Sequence, residues 1–410
     1  MAKRIMFYCQ HILGMGHLVR STAIVEALAQ DFEILFVLGG VIPKDFSVQQ
    51  KVQILQLPPI SSDSNLARLQ ANDPHSSLDH VKEVRRQMLL STFEAYKPDI
   101  LVTELFPFGR KQFSFELLPL LESAHRQNRR GRTMVVCSLR DILVLRKDQP
   151  EYEERVCQLV NRFYDLILVH GDPNHQQLHE TFRSASELLC PVRYTGYVVK
   201  KTASELAASV PPQKQNAVQT VVVSNGGGQP VSGHLLLESC LRAAEILQSV
   251  RPFHFHIFGG PFMEEETFQR LQHLASGIHS ATFSRYTPNL AACLKQADLS
   301  ISMAGYNTIM DVLSTGVRAL VSPFIGGGDL EQTIRAQKMA QKGVLNILTP
   351  EQLEPPQLAE AILTALDHEP IRVAFNDQGA NNTDHILREY LASWHPTCTE
   401  ELELIPTTQV

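Results

Sequence analysis

The chain has few of the residues that make disulfide or metal chemistry. Its seven cysteines include no C-x-x-C pair, and an odd count leaves one over from any full pairing. Neither a disulfide framework nor a zinc ribbon is implied, and a reducing, cytoplasmic setting is expected. No D-x-D pair occurs, and the one i,i+4 histidine pair, His175 with His179, lacks an evident third ligand, so no metal is expected. Walker A and G-x-S-x-G sequences are absent, which removes the P-loop and usual hydrolase readings. No stretch reaches the roughly 18 apolar residues of a spanning helix, and Ile5 to Cys9 is too short for a signal core. A transmembrane segment is therefore not expected, while peripheral contact with a membrane stays open. A net charge of -6 gives no pull toward nucleic acid. The one basic cluster, Arg126 with Arg129, Arg130 and Arg132, reads first as a solvated turn, with an anionic acceptor or a membrane contact as the minority reading.

What is present is enough chain for two domains, 410 residues with 44% hydrophobic content. Short strand-like runs alternate with amphipathic stretches, the pattern of α/β parallel sheets covered by helices. In the first half the expected strands are Arg4 to Gln10, Glu33 to Leu38, Val52 to Leu57, Ile100 to Thr103, Met134 to Cys137, Leu166 to Val169 and Val192 to Thr195. A Pro211-Pro212 stretch without apolar period marks a linker over 200–219. Strands resume at Val221 to Val223, Phe253 to Phe258, Leu299 to Ser302, Ala319 to Ser322 and Leu345 to Leu348. The organisation expected is an N-terminal domain over 1–199, a C-terminal domain over 220–369, and a helix and tail over 370–410, for which a return to the N-terminal domain is one course. His254 and His256 alternate on an expected buried strand and read as structural.

Three constellations can carry chemistry. After the first strand comes His11-Ile12-Leu13-Gly14-Met15-Gly16-His17, where glycines let the backbone turn tightly before a helix whose N-terminus attracts anions. The full G-x-G-x-x-G fingerprint is missing, which disfavours a dinucleotide. His17 at the helix start can accept a proton as a neutral imidazole, a helix cap being the plainer alternative. Glu104, at the carboxyl end of a strand, is the candidate orienting carboxylate, against a plain surface carboxylate. The second constellation is Ser224-Asn225-Gly226-Gly227-Gly228, with amides accessible to an anion. The third is Ala304-Gly305-Tyr306-Asn307-Thr308-Ile309-Met310-Asp311, then Pro323-Phe324 and Asp329-Leu330-Glu331-Gln332. Here Gly305 admits a diphosphate to the N–H groups of Asn307 and Thr308, and Asp311 lies about one turn further in, within reach of a ribose. Asp329, Glu331 and Gln332 suit sugar hydroxyls, although both helix starts also read as ordinary caps.

Together these residues resemble the GT-B glycosyltransferases, most closely the MurG-like group with a family 28 C-terminal domain. The resemblance is strongest from Ser284 to Ala340. It implies two Rossmann-like domains facing across a cleft, with the donor held by the C-terminal domain and the acceptor by the N-terminal one. It also implies an inverting, metal-independent transfer from a nucleoside diphosphate sugar, a UDP-sugar first, with no cofactor beyond that co-substrate. The acceptor, small molecule or lipid-linked, is not specified. By the same resemblance Gly14, Gly16 and His17 are the loop and base, Tyr286 and Thr287 read the nucleobase, Asp311 takes the ribose, and Glu331 and Gln332 take the sugar. The chain departs from the pattern at Ala304, where Ser is usual, at Asp311, where Glu is usual, and in its Ser-Asn-Gly-Gly-Gly loop. Arg20 after His17 also looks like nucleotide-sugar hydrolases of the fold. Hydrolysis, epimerisation or non-catalytic nucleotide-sugar binding are the alternatives.

Overall fold

A computed structural model of the chain describes residues 2–12, 15–42, 46–62, 69–73, 75–128, 133–199, 218–227, 231–287, 289–324, 330–369 and 371–394. It divides into two compact units. The first comprises Met1–Ile12, Ser21–Val198 and Gln378–Val410; the second comprises Leu13–Arg20 and Val199–Asp377.

The first unit contains β1 (Lys3–Cys9), most of α1 (Gly16–Leu28), β2 (Phe32–Leu38), β3 (Val52–Gln56), β4 (Ile60–Ser62), β5 (Leu69–Ala71), α2 (Leu78–Tyr96) and β6 (Ile100–Glu104). It continues through α3 (Ser114–Asn128), β7 (Met134–Arg140), α4 (Gln149–Phe163), β8 (Leu166–His170) and β9 (Val192–Tyr194). Seven parallel strands run in the order β3-β2-β1-β6-β7-β8-β9. The five inner strands are buried along nearly their whole length, as in β6 and β8, which suits a sheet enclosed on both faces, while the edge strands β3 and β9 are partly exposed. The antiparallel β4-β5 ribbon lies outside this sheet and was not expected from the sequence.

The second unit contains β10 (Gln219–Ser224), α5 (Val231–Leu247), β11 (Phe253–Phe258), α6 (Glu265–Ser276), β12 (Ala281–Ser284), α7 (Leu290–Gln296) and β13 (Leu299–Met303). Then follow α8 (Tyr306–Thr315), β14 (Arg318–Ser322), α9 (Glu331–Gln341), β15 (Asn346–Ile347) and α10 (Pro355–Asp367). Its six parallel strands run β12-β11-β10-β13-β14-β15. The face of β11 carrying His254 and His256 is half-buried rather than buried, because only Phe253, Phe255 and Ile257 turn into the core. The two rings sit 4.3 Å apart, and His256 meets Thr282.

The last helix, α11 (Gly379–Ser393), belongs to the first unit. Gly379 N–H donates to Tyr197 O, Asn382 Nδ2 to Thr195 O, and Tyr390 Oη to Asp165 O. An added Cβ at Gly379 would sit 2.6 Å from backbone atoms of Gly196 and Tyr197, so only glycine permits this approach.

Candidate functional site

In each sheet the strand order reverses direction at one place, between β1 and β6 in the first unit and between β10 and β13 in the second. Open α/β sheets bind ligands outside the carboxyl ends of the strands at such switch points. The turns that begin after Ser224 and Met303 follow β10 and β13 and sit there, as do the start of α1 after β1 and Glu104 at the end of β6, whereas Tyr286 and Thr287 follow the edge strand β12 and Glu331 and Gln332 follow β14. Ser224 and Ser302 are paired across β10 and β13, so the loops that follow them emerge side by side.

Both loops leave room at their glycines. Gly226 has φ +61°, a conformation side chains rarely take, and an added Cβ there would meet nothing within 4 Å among the described residues. Gly305 caps α8 in an extended conformation with no side-chain hydrogen bond at the cap, and its Cβ position is equally open. The first-turn N–H groups of α8 thus carry the helix dipole with no side chain of the cap laid over them. Ala304, Tyr306 and Thr308 are buried, while Asn307 and Asp311 are only half-buried. Asn225 lies under α5 instead of at the edge: it is buried, its Nδ2 points to Gly259 O at 3.5 Å, and Gly233 makes room for its side chain. Tyr286 is exposed, and Thr287 Oγ1 accepts from Asn289 N–H. Gly14, Gly228 and Asp329 lie outside the described residues, as do Gly326, Gly327 and Gly328.

A chain of charge and aromatic contacts runs beside the α8 start. The Tyr306 ring receives two guanidinium groups, Arg20 and Arg335, each 5.3 Å from its centroid. Arg335 is buried and donates through Nη2 to Glu331 Oε1 at 2.9 Å, so one of the two proposed sugar-binding groups is already held by an ion pair on its own helix. Gln332 Oε1 accepts from Phe324 N–H, which ties the Pro323-Phe324 loop to the first turn of α9. The start of α1 joins this group: Asn307 Nδ2 donates to Gly16 O at 3.3 Å, and Arg20 Nη2 stands 3.4 Å from His17 Nδ1. Arg335 was missed in the sequence reading, although its i,i+4 spacing from Glu331 is a legible helix pair.

The corresponding edge of the first unit is a buried polar cluster. Glu104 is fully buried at the end of β6, not a surface carboxylate. Its charge lies beside Arg110 and His11: burial pushes the Arg110 guanidinium down and Glu104 opposes that, and burial likewise pushes the His11 imidazole down. His11 Nε2 donates to Val41 O at 2.8 Å, which leaves the lone pair on Nδ1. Beside it, Arg85 is an ion inside the core, donating to both Glu116 oxygens, to Gln10 Oε1, and to the backbone oxygens of Gly39 and Pro58. One side chain thus fastens the loops after β1, β2 and β3. Neither His11, named only as the first residue of its loop, nor Arg85, set in the polar run Lys82-Glu83-Val84-Arg85-Arg86-Gln87, was assigned a role of its own from the sequence, because only the fold brings their partners in.

Residues 231–385 match the family model described as the Glycosyltransferase family 28 C-terminal domain. A UDP-N-acetylglucosamine--N-acetylmuramyl-(pentapeptide) pyrophosphoryl-undecaprenol N-acetylglucosamine transferase of Ralstonia nicotianae is 29% identical over 192 residues, covering 44% of this chain and 51% of that protein. The chain spans about half the length of the curated relatives it matches. Among solved structures, the calicheamicin glycosyltransferase CalG4 superposes with a TM-score of 0.57 at 16% identity, covering 97% of this chain and 96% of that one. A Listeria monocytogenes protein assigned as a UDP-N-acetylglucosamine 2-epimerase superposes with a TM-score of 0.62 at 13% identity, covering 96% of each chain. At such identities the likeness is one of fold.

Proposed function

We propose an inverting, metal-independent transfer of a sugar from a nucleoside diphosphate sugar to an acceptor hydroxyl; the match of residues 231–385 to the glycosyltransferase family 28 C-terminal model and the fold shared with a glycosyltransferase support this reading. The donor is a UDP-sugar, in keeping with the donor named in the matched relatives. The observation that carries the reading is the pair of open glycines, Gly226 and Gly305, on adjacent strand ends at the switch point of the second unit.

The diphosphate lies on the amides of α8 and of Gly227, the Gly226 N–H already donating to Ser224 Oγ at 3.2 Å, and these amides stabilise the leaving group in the way an oxyanion hole does. Asp311 takes the ribose hydroxyls, Tyr286 and Thr287 flank the nucleobase, and Glu331 with Gln332 takes the sugar, Arg335 holding Glu331 in place. The acceptor, small or lipid-linked, belongs to the first unit. His17 removes the proton of its hydroxyl, and the oxygen attacks the anomeric carbon opposite the departing diphosphate. Peripheral membrane contact suits a lipid-linked acceptor, and among the described residues no helix is long and apolar enough to cross a membrane.

The test uses UDP-N-acetylglucosamine with cell extract as the source of acceptor and mass spectrometry of the products. His17→Ala lowers product formation by about 100-fold or more, the usual share of a general base, while UDP binding persists. Transfer at an undiminished rate would remove His17 from the mechanism. Hydrolysis or epimerisation is the second reading, supported by Arg20 three residues after His17; rapid consumption of donor by the wild-type chain without acceptor would favour it.

A further inference from the structure

Arg20 is buried one helical turn beyond His17, and nothing in the mechanism above employs it. Its guanidinium is held at the Tyr306 ring, whose other guanidinium is fixed by Glu331, so its place is set by α8 and α9 and not by α1 alone. The hydrogen bond from Asn307 Nδ2 to Gly16 O fastens the residue before His17 to the same helix start. In this setting Arg20 Nη2 faces His17 Nδ1 at 3.4 Å, at the long end of hydrogen bonding.

A guanidinium has donors and no lone pair, so Nδ1 must be the acceptor. The neutral imidazole then carries its hydrogen on Nε2, and its single lone pair is covered by a cation. To take up a proton, the ring must either lose Arg20 from Nδ1 or move its own hydrogen there, and both displace the same contact. We infer that Arg20 is a positioning residue that latches His17 in a non-basic arrangement until an acceptor arrives, and so protects a bound nucleotide sugar from water. The inference rests on the transferase reading of the site.

In productive transfer the acceptor hydroxyl gives its proton to the released imidazole lone pair. Its oxygen forms the new bond to the anomeric carbon, and the pair of electrons of the breaking bond leaves with the nucleoside diphosphate. Water in place of the acceptor would follow the same balance and give free sugar. The latch acts on that unwanted reaction.

The experiment is UDP release from UDP-N-acetylglucosamine by the 410-residue chain in acceptor-free buffer, with UDP affinity measured in parallel. Arg20→Met should speed release about fivefold or more over wild type, a modest part of what a freed base supplies. Arg20→Lys should fall between them, since it keeps the charge and loses the planar fork. Combining Arg20→Met with His17→Asn should return release to the wild-type rate or below, a reversal that a merely structural role would not produce. UDP affinity should stay within about twofold, because the latch engages His17 and not the nucleotide. Unchanged release in Arg20→Met, or an increase that survives His17→Asn, overturns the latch. A fall in UDP affinity without faster release overturns it too and makes Arg20 a nucleotide ligand. A wild-type chain that binds no UDP refutes the transferase reading, whereas normal UDP binding with unaltered release refutes only the latch.

Discussion

Gly305 separates two demands that usually fall on one residue. Its backbone is an ordinary extended cap, so the fold needs no glycine there for conformation, and the space beside it is open. Gly305→Ala should therefore cost no more than about 1 kcal/mol of stability, the difference between glycine and alanine at an N-cap. If a diphosphate lies against this turn, the added methyl occupies its place, and UDP affinity should fall about tenfold, roughly 1.4 kcal/mol. Thermal unfolding and calorimetric titration of the same variant check the two parts; an unweakened titration would remove α8 from the phosphate site. The glycines and His17 were legible in the sequence because their residue types announce strand-to-helix turns. The inward roles of Tyr306 and Asn225 were not, since burial of a side chain in a loop motif depends on what packs over it.

Elements were read from apolar runs, and their errors follow from that. The sequence reading ended strands at Thr103, Cys137 and Val169, whereas they continue to Glu104, Arg140 and His170. Those last residues are polar, yet Glu104 and His170 are buried. His170 is satisfied by Ser138 and Thr195, partners supplied by neighbouring strands and loops. Polar strand ends at the carboxyl edge of a sheet are where a ligand site begins, so the pattern fails where function starts. β12 escaped because Phe283 is its single buried residue, too little to set a period. The docking of α11 depends on the close approach at Gly379, and a methyl there meets backbone that cannot rotate away. Gly379→Ala should lower the unfolding free energy by about 1–3 kcal/mol, in the range of overpacked sites. Denaturant titration checks this, and an unchanged midpoint would show that the helix start can shift without cost.

At the scale of the whole molecule, the chain builds one parallel sheet, then a second, and closes by sending α11 back to the first unit. The α/β class and the two sheets were legible, because alternation of strands and helices survives every local error. The final helix's destination was only one of the courses open in the sequence, since Asn382 and Tyr390 meet Thr195 and Asp165 about 190 to 225 residues away. The grouping of Leu13–Arg20 with the second unit was not legible either, for the contact of Gly16 with Asn307 spans 291 residues and that of Arg20 with Tyr306 nearly as many. The account's central claim is that amides and helix starts of the second unit hold a nucleoside diphosphate without help from a metal. Calorimetric titration of UDP into the 410-residue chain, with and without EDTA, tests it most directly. The account predicts saturable one-to-one binding that is the same in both buffers; no binding, or binding abolished by EDTA, would contradict it.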